Sequence, residues 1–382
     1  MSAFRSIALR KLSAFRSTVV DKLSGFRSIA VDKLSGFRST AVHKLSEFRS
    51  TAVHAAALIA LLCCCFACSA QETGSSVSGD SDYVIGVYTD FRVVDGDTFH
   101  IKDLDRGVRF LFIDTEEVPR GDNAMADLQH LRENWPQPYY DRRGDKRFPV
   151  KMASPFGWES SEWAKQWFSD VDSIRLERDS DANVYGYFGR WLALVFARKQ
   201  GTWVLYNLEC VRMGHSPYYG KYGFSERFHD AFRAAEKEAR DGQRGIWNPS
   251  LQHYPDYDER LEWWSGRGED ISRYLEVCDA REDCYFLGRD GEFERLALAT
   301  GKRVTVFGMV DWIGDERPVQ MLRMPHKEKT AVIVRLPHPA EEDWILDAEQ
   351  QYVYVRGVIR GSGKELDLEI ESYEAISRLP FE

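Results

Sequence analysis

Between Tyr83 and Asp114 the chain is written as short strands punctuated by turn dipeptides. The segment YVIGVYTDFRVV alternates apolar and polar side chains, the two-residue period of a half-buried strand. Asp95-Gly96 supplies a turn, Thr98 to Ile101 starts a second strand, and Arg106-Gly107 turns again. VRFLFID, Val108 to Asp114, then reads as a buried third strand. Strands this short, joined this tightly, imply a barrel or curled sheet. Downstream, SSEWAKQWFSDV places Trp163, Trp167 and Phe168 at helical spacing, and SIRLER and WLALVFAR return to strand. WVLYNLECVRMG and ERFHDAFRAAEKEARDG read as helices, the second closing at Gly242. The fold class expected is α+β and mainly β: a five-stranded OB-type barrel with helices inserted and appended.

Within that pattern a small set of residues carries chemistry. Asp97 ends one strand connection and Asp114 the next, and adjacent strand ends bring such carboxylates together. Two close carboxylates repel unless a cation lies between them. Oxygen donors suit Ca²⁺ or Mg²⁺, and the Thr115 carbonyl could complete the protein's share of the ligands. Glu117 follows where it could orient or deprotonate a water. Arg109 leads into Asp114 and Arg190 follows Gly189, two guanidinium forks able to clamp a phosphodiester.

The order VVDGDTFHI, VRFLFIDTEE, YFGRWLALVF and a helix ending GQRGIW resembles staphylococcal nuclease and the thermonuclease-like family over about residues 83–250. The resemblance implies calcium ligands at Asp97, Asp114 and the Thr115 carbonyl, a catalytic Glu117, and phosphate-binding Arg109 and Arg190. It also places Phe188 and Tyr222 near the positions where relatives stack a base. It implies Ca²⁺-dependent hydrolysis of DNA and RNA with little sequence preference, leaving 3′-phosphates. Three features depart from the family. Glu116 replaces the usual Pro and is expected to loosen its turn. Trp191 stands where a small residue is common. A segment from Val118 to Ala153 is inserted, with Arg132, Arg142, Arg143, Lys146, Arg147 and Lys151 among Trp135, Tyr139 and Tyr140. Basic residues interleaved with aromatics suit single-stranded nucleic acid, and an ordinary surface loop reads equally well.

Residues 251–300 read as a linker with a helix, and 301–382 as a second, smaller OB-like β domain. Its strands are RVTVFGMVDWI, PVQMLRM and TAVIVRL, then a helical PAEEDWILDAEQQ, then a hairpin of YVYVRGVIR and LDLEIESYEAI across Gly361 to Lys364. Lacking DGDT and DTxE, it is expected to be non-catalytic, and a chain cut near Pro249 to keep cleavage. Fold alone does not assign its role.

Residues 1–54 are eleven-residue tandem repeats, either a basic hendecad helix at a membrane surface or a translated DNA repeat without function. Residues 55–70 read as a signal peptide or lipoprotein signal, with Cys68 as the candidate lipidated residue and Gln71 to Asp82 as a linker. The expectation is an exported protein, secreted or attached to the cell envelope, acting on nucleic acid, with no stable protein partner indicated. Formal net charge is -9, and becomes -16 when the ten basic and three acidic residues of the first 54 are set aside. Nucleic-acid affinity comes mainly from Lys and Arg, so any basic groove must be local. That acidity keeps a catalytically silent binding module and an envelope scaffold as alternatives. Cys278 and Cys284 could form a short-loop disulfide or stand as two unrelated thiols.

Overall fold

The structure is a computed structural model that describes residues 81–180, 184–313, 319–340 and 347–381. The repeats, residues 55–70 with Cys68 (the segment expected to be a signal), and most of the expected linker lie outside the described residues. The chain is a mixed α+β protein, mostly sheet, with seven α-helices among the described residues. None of these is long and apolar enough to cross a membrane.

The first sheet holds seven strands: β1 (Val84–Tyr88), β2 (Phe91–Asp95), β3 (Thr98–Ile101), β4 (Val108–Phe110), β5 (Ile174–Glu177), β6 (Trp191–Lys199) and β7 (Thr202–Leu205). Its order is β1-β5-β6-β4-β3-β2, with β7 on β6. The count exceeds the expected five for two reasons. Thr89-Asp90 break the first alternating run in two. The segment read as a helix from Trp203 opens as strand β7, whose Thr202 to Leu205 pair back onto β6, before turning into α4 (Tyr206–Arg212). The core is apolar and aromatic: Phe99 packs edge to face with Phe110 and Phe168, Phe110 does the same with Tyr206, and Phe168 lies tilted on Tyr206.

The expected third strand stops early. β4 ends at Phe110 because each following peptide group is claimed by a different element. Leu111 N donates to Ala193 O at 2.9 Å and Asn207 Nδ2 donates to Leu111 O at 2.8 Å. Phe112 turns the chain at φ 62°, and its carbonyl accepts from Tyr219 N at 2.9 Å. Asp114 N then donates to Ser216 Oγ at 2.8 Å. Asn207 is the buried rivet here, since its Oδ1 also accepts from Val195 N at 2.8 Å. Asn207→Ala strands several buried backbone groups, each costing about 1–3 kcal/mol. We expect a loss of about 3 kcal/mol or more in denaturant unfolding; a loss under roughly 1 kcal/mol contradicts that role.

The inserted segment is neither an open loop nor an aromatic stacking face. It forms α1 (Ala124–Asn134) and α2 (Gln137–Arg143). Trp135 and Tyr139 pack with Phe156, Ile246 and Tyr254, while Tyr140 stays exposed. Arg143 pairs with Asp256 and Glu259, so part of its charge is structural. Behind it come α3 (Pro155–Trp167) and α5 (His229–Asp241), whose Phe232 stacks on Tyr218. The segment from Tyr257 to Val277 is a single 21-residue helix, α6.

The second sheet contains β8 (Cys284–Phe286), β9 (Arg303–Met309), β10 (Trp312–Ile313), β11 (Val319–Lys327), β12 (Thr330–Ala340), β13 (Tyr352–Arg360), β14 (Glu365–Glu369) and β15 (Ile376–Ser377). Its order is β10-β11-β12-β14-β13-β9-β8, with β15 on β13, and β13–β14 is the expected hairpin. The helix expected over 339–351 begins instead as the end of β12; residues 341–346 lie outside the described residues. Among the described residues, α7 (Glu292–Ala297) is the remaining helix. Cys278 and Cys284 are buried and unbridged.

Candidate functional site

The strand ends and turns just described converge on one polar cavity of about 180 Å³. Its walls include Asp97, Arg109, Asp114, Thr115, Glu117, Arg190 and Tyr222, seven of the eight residues singled out from sequence. Phe188 lies outside it, in an exposed neighbouring groove.

Asp97 is buried at the β2–β3 turn. Its Oδ2 accepts from Thr115 N at 2.8 Å and Thr115 Oγ1 at 3.2 Å, and its Oδ1 accepts from Thr98 Oγ1 at 3.0 Å. Gly96 makes this approach feasible: a Cβ there would sit 2.6 Å from Thr115 Cγ2. The Arg109 guanidinium spans both carboxylates, one nitrogen on Asp97 and the other on Asp114. Burial disfavours the Arg109 charge, but the two carboxylates hold it more firmly protonated than usual. On Asp114 burial is outweighed by Lys151 and Arg109, which keep its carboxyl below the usual range. Lys151 Nζ lies 2.5 Å from Asp114 Oδ1. Asp95 shows the opposite balance, with burial and the adjacent Asp97 pushing it up to about 6.

Glu117 is fixed through its backbone. Its carbonyl accepts from Ser154 N at 3.1 Å, and the α3 start presses against it so closely that a Cβ on Gly157 would fall 2.0 Å from that oxygen. Its carboxylate makes no ion pair or hydrogen bond with the described residues. Arg190 likewise leaves its guanidinium without a carboxylate among them. A half-buried carboxylate and a guanidinium without a carboxylate partner among the described residues thus both line the cavity.

Glu116 does not loosen the turn. Its carboxylate accepts from Tyr254 N at 2.7 Å, Tyr257 OH at 2.9 Å and the Ser154 hydroxyl, so it ties the site to α3 and to the start of α6. Burial raises its carboxyl to about 7 in spite of those donors. Trp264 of α6 stacks edge-on to Tyr219 at 4.7 Å, and Tyr219 lines the cavity. A chain cut near Pro249 would lose Tyr254, Tyr257 and Trp264, so that truncation is not structurally neutral.

Asp95, Glu116, Arg120, Tyr219 and Lys221, none of them among the expected site residues, also line the cavity, and Lys151 of the basic insertion joins them. Asp95 was legible, since it opens the same DGDT turn. Arg120 reaches the site by pairing with Asp95 at 2.7 Å. Lys221, pushed down to about 7 by burial and by Lys151 and Arg267, has no local motif to mark it.

Residues 108–249 match the family model described as staphylococcal nuclease homologue. Endonuclease YhcR of Bacillus subtilis (strain 168) is 31% identical over 211 residues, 54% of this chain. That match spans 14% of the endonuclease's own length. An uncharacterized protein of Methanocaldococcus jannaschii is 26% identical over 160 residues, 41% of this chain and 69% of that protein.

Proposed function

We propose that this chain, which contains a staphylococcal-nuclease-like domain, is an exported metal-dependent nuclease that hydrolyses phosphodiester bonds of DNA, RNA or both with little sequence preference. The observation that carries this reading is the convergence of Asp97, Asp114, Glu117, Arg109 and Arg190 on one cavity. We read the first sheet as an OB-type barrel and the second as a smaller OB-like domain without chemistry of its own. Export rests on the signal-like segment at 55–70, with attachment through Cys68 or release as its two forms.

The donor set fits a hard divalent cation. Asp97 and Asp114 are buried together, with Arg109 and Lys151 offsetting their charge, and Thr115 offers a carbonyl; every donor is oxygen. Among the described residues no three acidic, His or Cys side chains converge to chelate an ion alone, so water and phosphate would complete the shell. Ca²⁺ bound there would offset phosphate charge and polarise the attacked phosphorus, and Mg²⁺ could substitute. Glu117 takes the proton of the attacking water as the oxygen–phosphorus bond forms. Arg109 and Arg190 hold the equatorial oxygens while the bond to the leaving sugar oxygen breaks. Phe188 and Tyr222 flank the cavity for base contact.

The test is cleavage of labelled DNA and RNA by the full chain with Ca²⁺ and with chelator. Cleavage that survives chelation removes the metal from the reading; binding without cleavage under every condition favours the silent module. Lys151 gives a second handle. Lys151→Met keeps the stem but removes the charge beside Asp114, so calorimetric Ca²⁺ affinity should rise about fivefold, the upper range for a partly exposed pair. Weaker Ca²⁺ binding in that variant contradicts the ligand assignment at Asp114.

A further inference from the structure

Next to the cavity, a groove of about 440 Å³ lies between the segment leading into Arg190 and the β11–β12 turn of the second sheet. The first side contributes Tyr185, Tyr187 and Phe188, and the second contributes Lys327 and Lys329. Phe188 is 59% exposed and Tyr185 38%, large rings left in solvent at one place. They are braced rather than loose: Tyr187 stands edge-on to Phe188 at 4.8 Å, and Tyr185 lies 4.6 Å from Trp191.

Backbone contacts lock the two sides together. Lys327 Nζ donates to Tyr185 O at 2.7 Å, and Glu328 N donates to Tyr187 O at 3.1 Å. From the β3–β4 connection, Arg106 Nη1 donates to Phe188 O at 3.0 Å. The groove reaches Gly189, and the next residue, Arg190, lines the catalytic cavity. A chain whose phosphate lies at Arg190 therefore has this groove as its immediate continuation.

We propose that the groove is a subsite for the single-stranded stretch of polynucleotide flanking the scissile phosphate, which continues past the base contact already assigned to Phe188, with a further base stacked on Tyr185 and backbone beside Arg106 and Lys329. The second sheet, although without catalytic residues, thereby takes part in substrate binding. The inference rests on the nuclease reading. Only unpaired bases present a free face to a protein ring, because a duplex buries those faces in its own stack. The charge agrees with stacking as the main source of affinity. Lys327 is already paired with Asp290 at 2.8 Å, and the acids Asp105 and Glu328 line the groove together with Arg106 and Lys329. Few counterions are released from so balanced a rim. The groove should therefore add only about one to the salt slope, against about 0.7 per phosphate contact on single strands.

The experiment measures anisotropy of fluorescent oligothymidylate on the full chain in chelator, using a dinucleotide, a strand of about 12 nucleotides and a duplex of that length. Tyr185→Ala should weaken the long strand about tenfold, within the range of one lost base–aromatic stack. Lys329→Glu should weaken it about threefold and Glu328→Lys strengthen it about threefold, each change larger for the long strand than for the dinucleotide. A gain in Glu328→Lys cannot come from misfolding, so the opposed pair remains decisive if Tyr185→Ala disturbs its loop. The proposal is overturned if the two charge variants bind the long strand equally, if the duplex responds as strongly as the single strand, or if the dinucleotide changes as much as the long strand. Should wild type cleave nothing with Ca²⁺ while binding responds as expected, the nuclease reading falls and the subsite stands; cleavage without that response has the opposite meaning.

Discussion

Glu117→Gln should lose cleavage by about two to four orders of magnitude in kcat, the range for removing a general base. The substitution keeps the size and shape of the side chain and changes only its ability to take a proton. The carboxylate makes no contact with the described residues that an amide would break, while the backbone is held by Ser154 and by the close approach of Gly157. The thermal midpoint and the heat of Ca²⁺ binding should therefore match wild type. KM should also hold, since Arg109 and Arg190 remain to bind the phosphate. Single-turnover cleavage of a labelled oligonucleotide, beside calorimetry in the same buffer, reads both. If the variant cleaves within roughly threefold of wild type, Glu117 is not the base. If it loses Ca²⁺ binding as well, Glu117 belongs with Asp97 and Asp114 as a ligand.

The site was legible in sequence because its residues lie where local pattern dictates backbone geometry. Asp97 sits in a turn that Asp95-Gly96 announces, and Asp114 follows a run of buried apolar residues. Their meeting is a consequence of strands β3 and β4 pairing, Thr98 opposite Arg109. What stayed hidden depends on contacts between distant segments. Lys151 reaches Asp114 across 37 residues, and Tyr254 and Tyr257 reach Glu116 across 138 and 141. No periodicity carries such pairings. The ends of strands depart from the sequence pattern for a related reason. VRFLFID looks like one strand because every apolar residue in it is buried, yet after Phe110 its hydrogen bonds go to β6, Asn207, Tyr219 and Ser216 rather than along one ladder. Burial is written in side chains, and pairing is not.

Arg190→Ala should cost about two to three orders of magnitude in kcat, as expected for one preorganised charge donor at a developing phosphate charge, with stability unchanged. The contrast with Arg109 explains the second half of that expectation. Arg109 bridges Asp97 and Asp114, so its removal leaves the buried Asp97 without an ion-pair partner and Asp114 with Lys151 alone, and should cost about 3 kcal/mol of stability besides activity. Arg190 has no carboxylate to leave behind. Its backbone carbonyl is the part that holds structure, accepting from Gly186 N at 2.8 Å, and alanine preserves that bond. Arg190→Lys separates charge from geometry: a lysine retains the positive charge but not the planar fork, so partial recovery is expected relative to alanine. Full recovery with lysine would make Arg190 a source of charge alone. An alanine variant that unfolds more easily than wild type would assign it a packing role, and its lost activity would then say nothing about the phosphate.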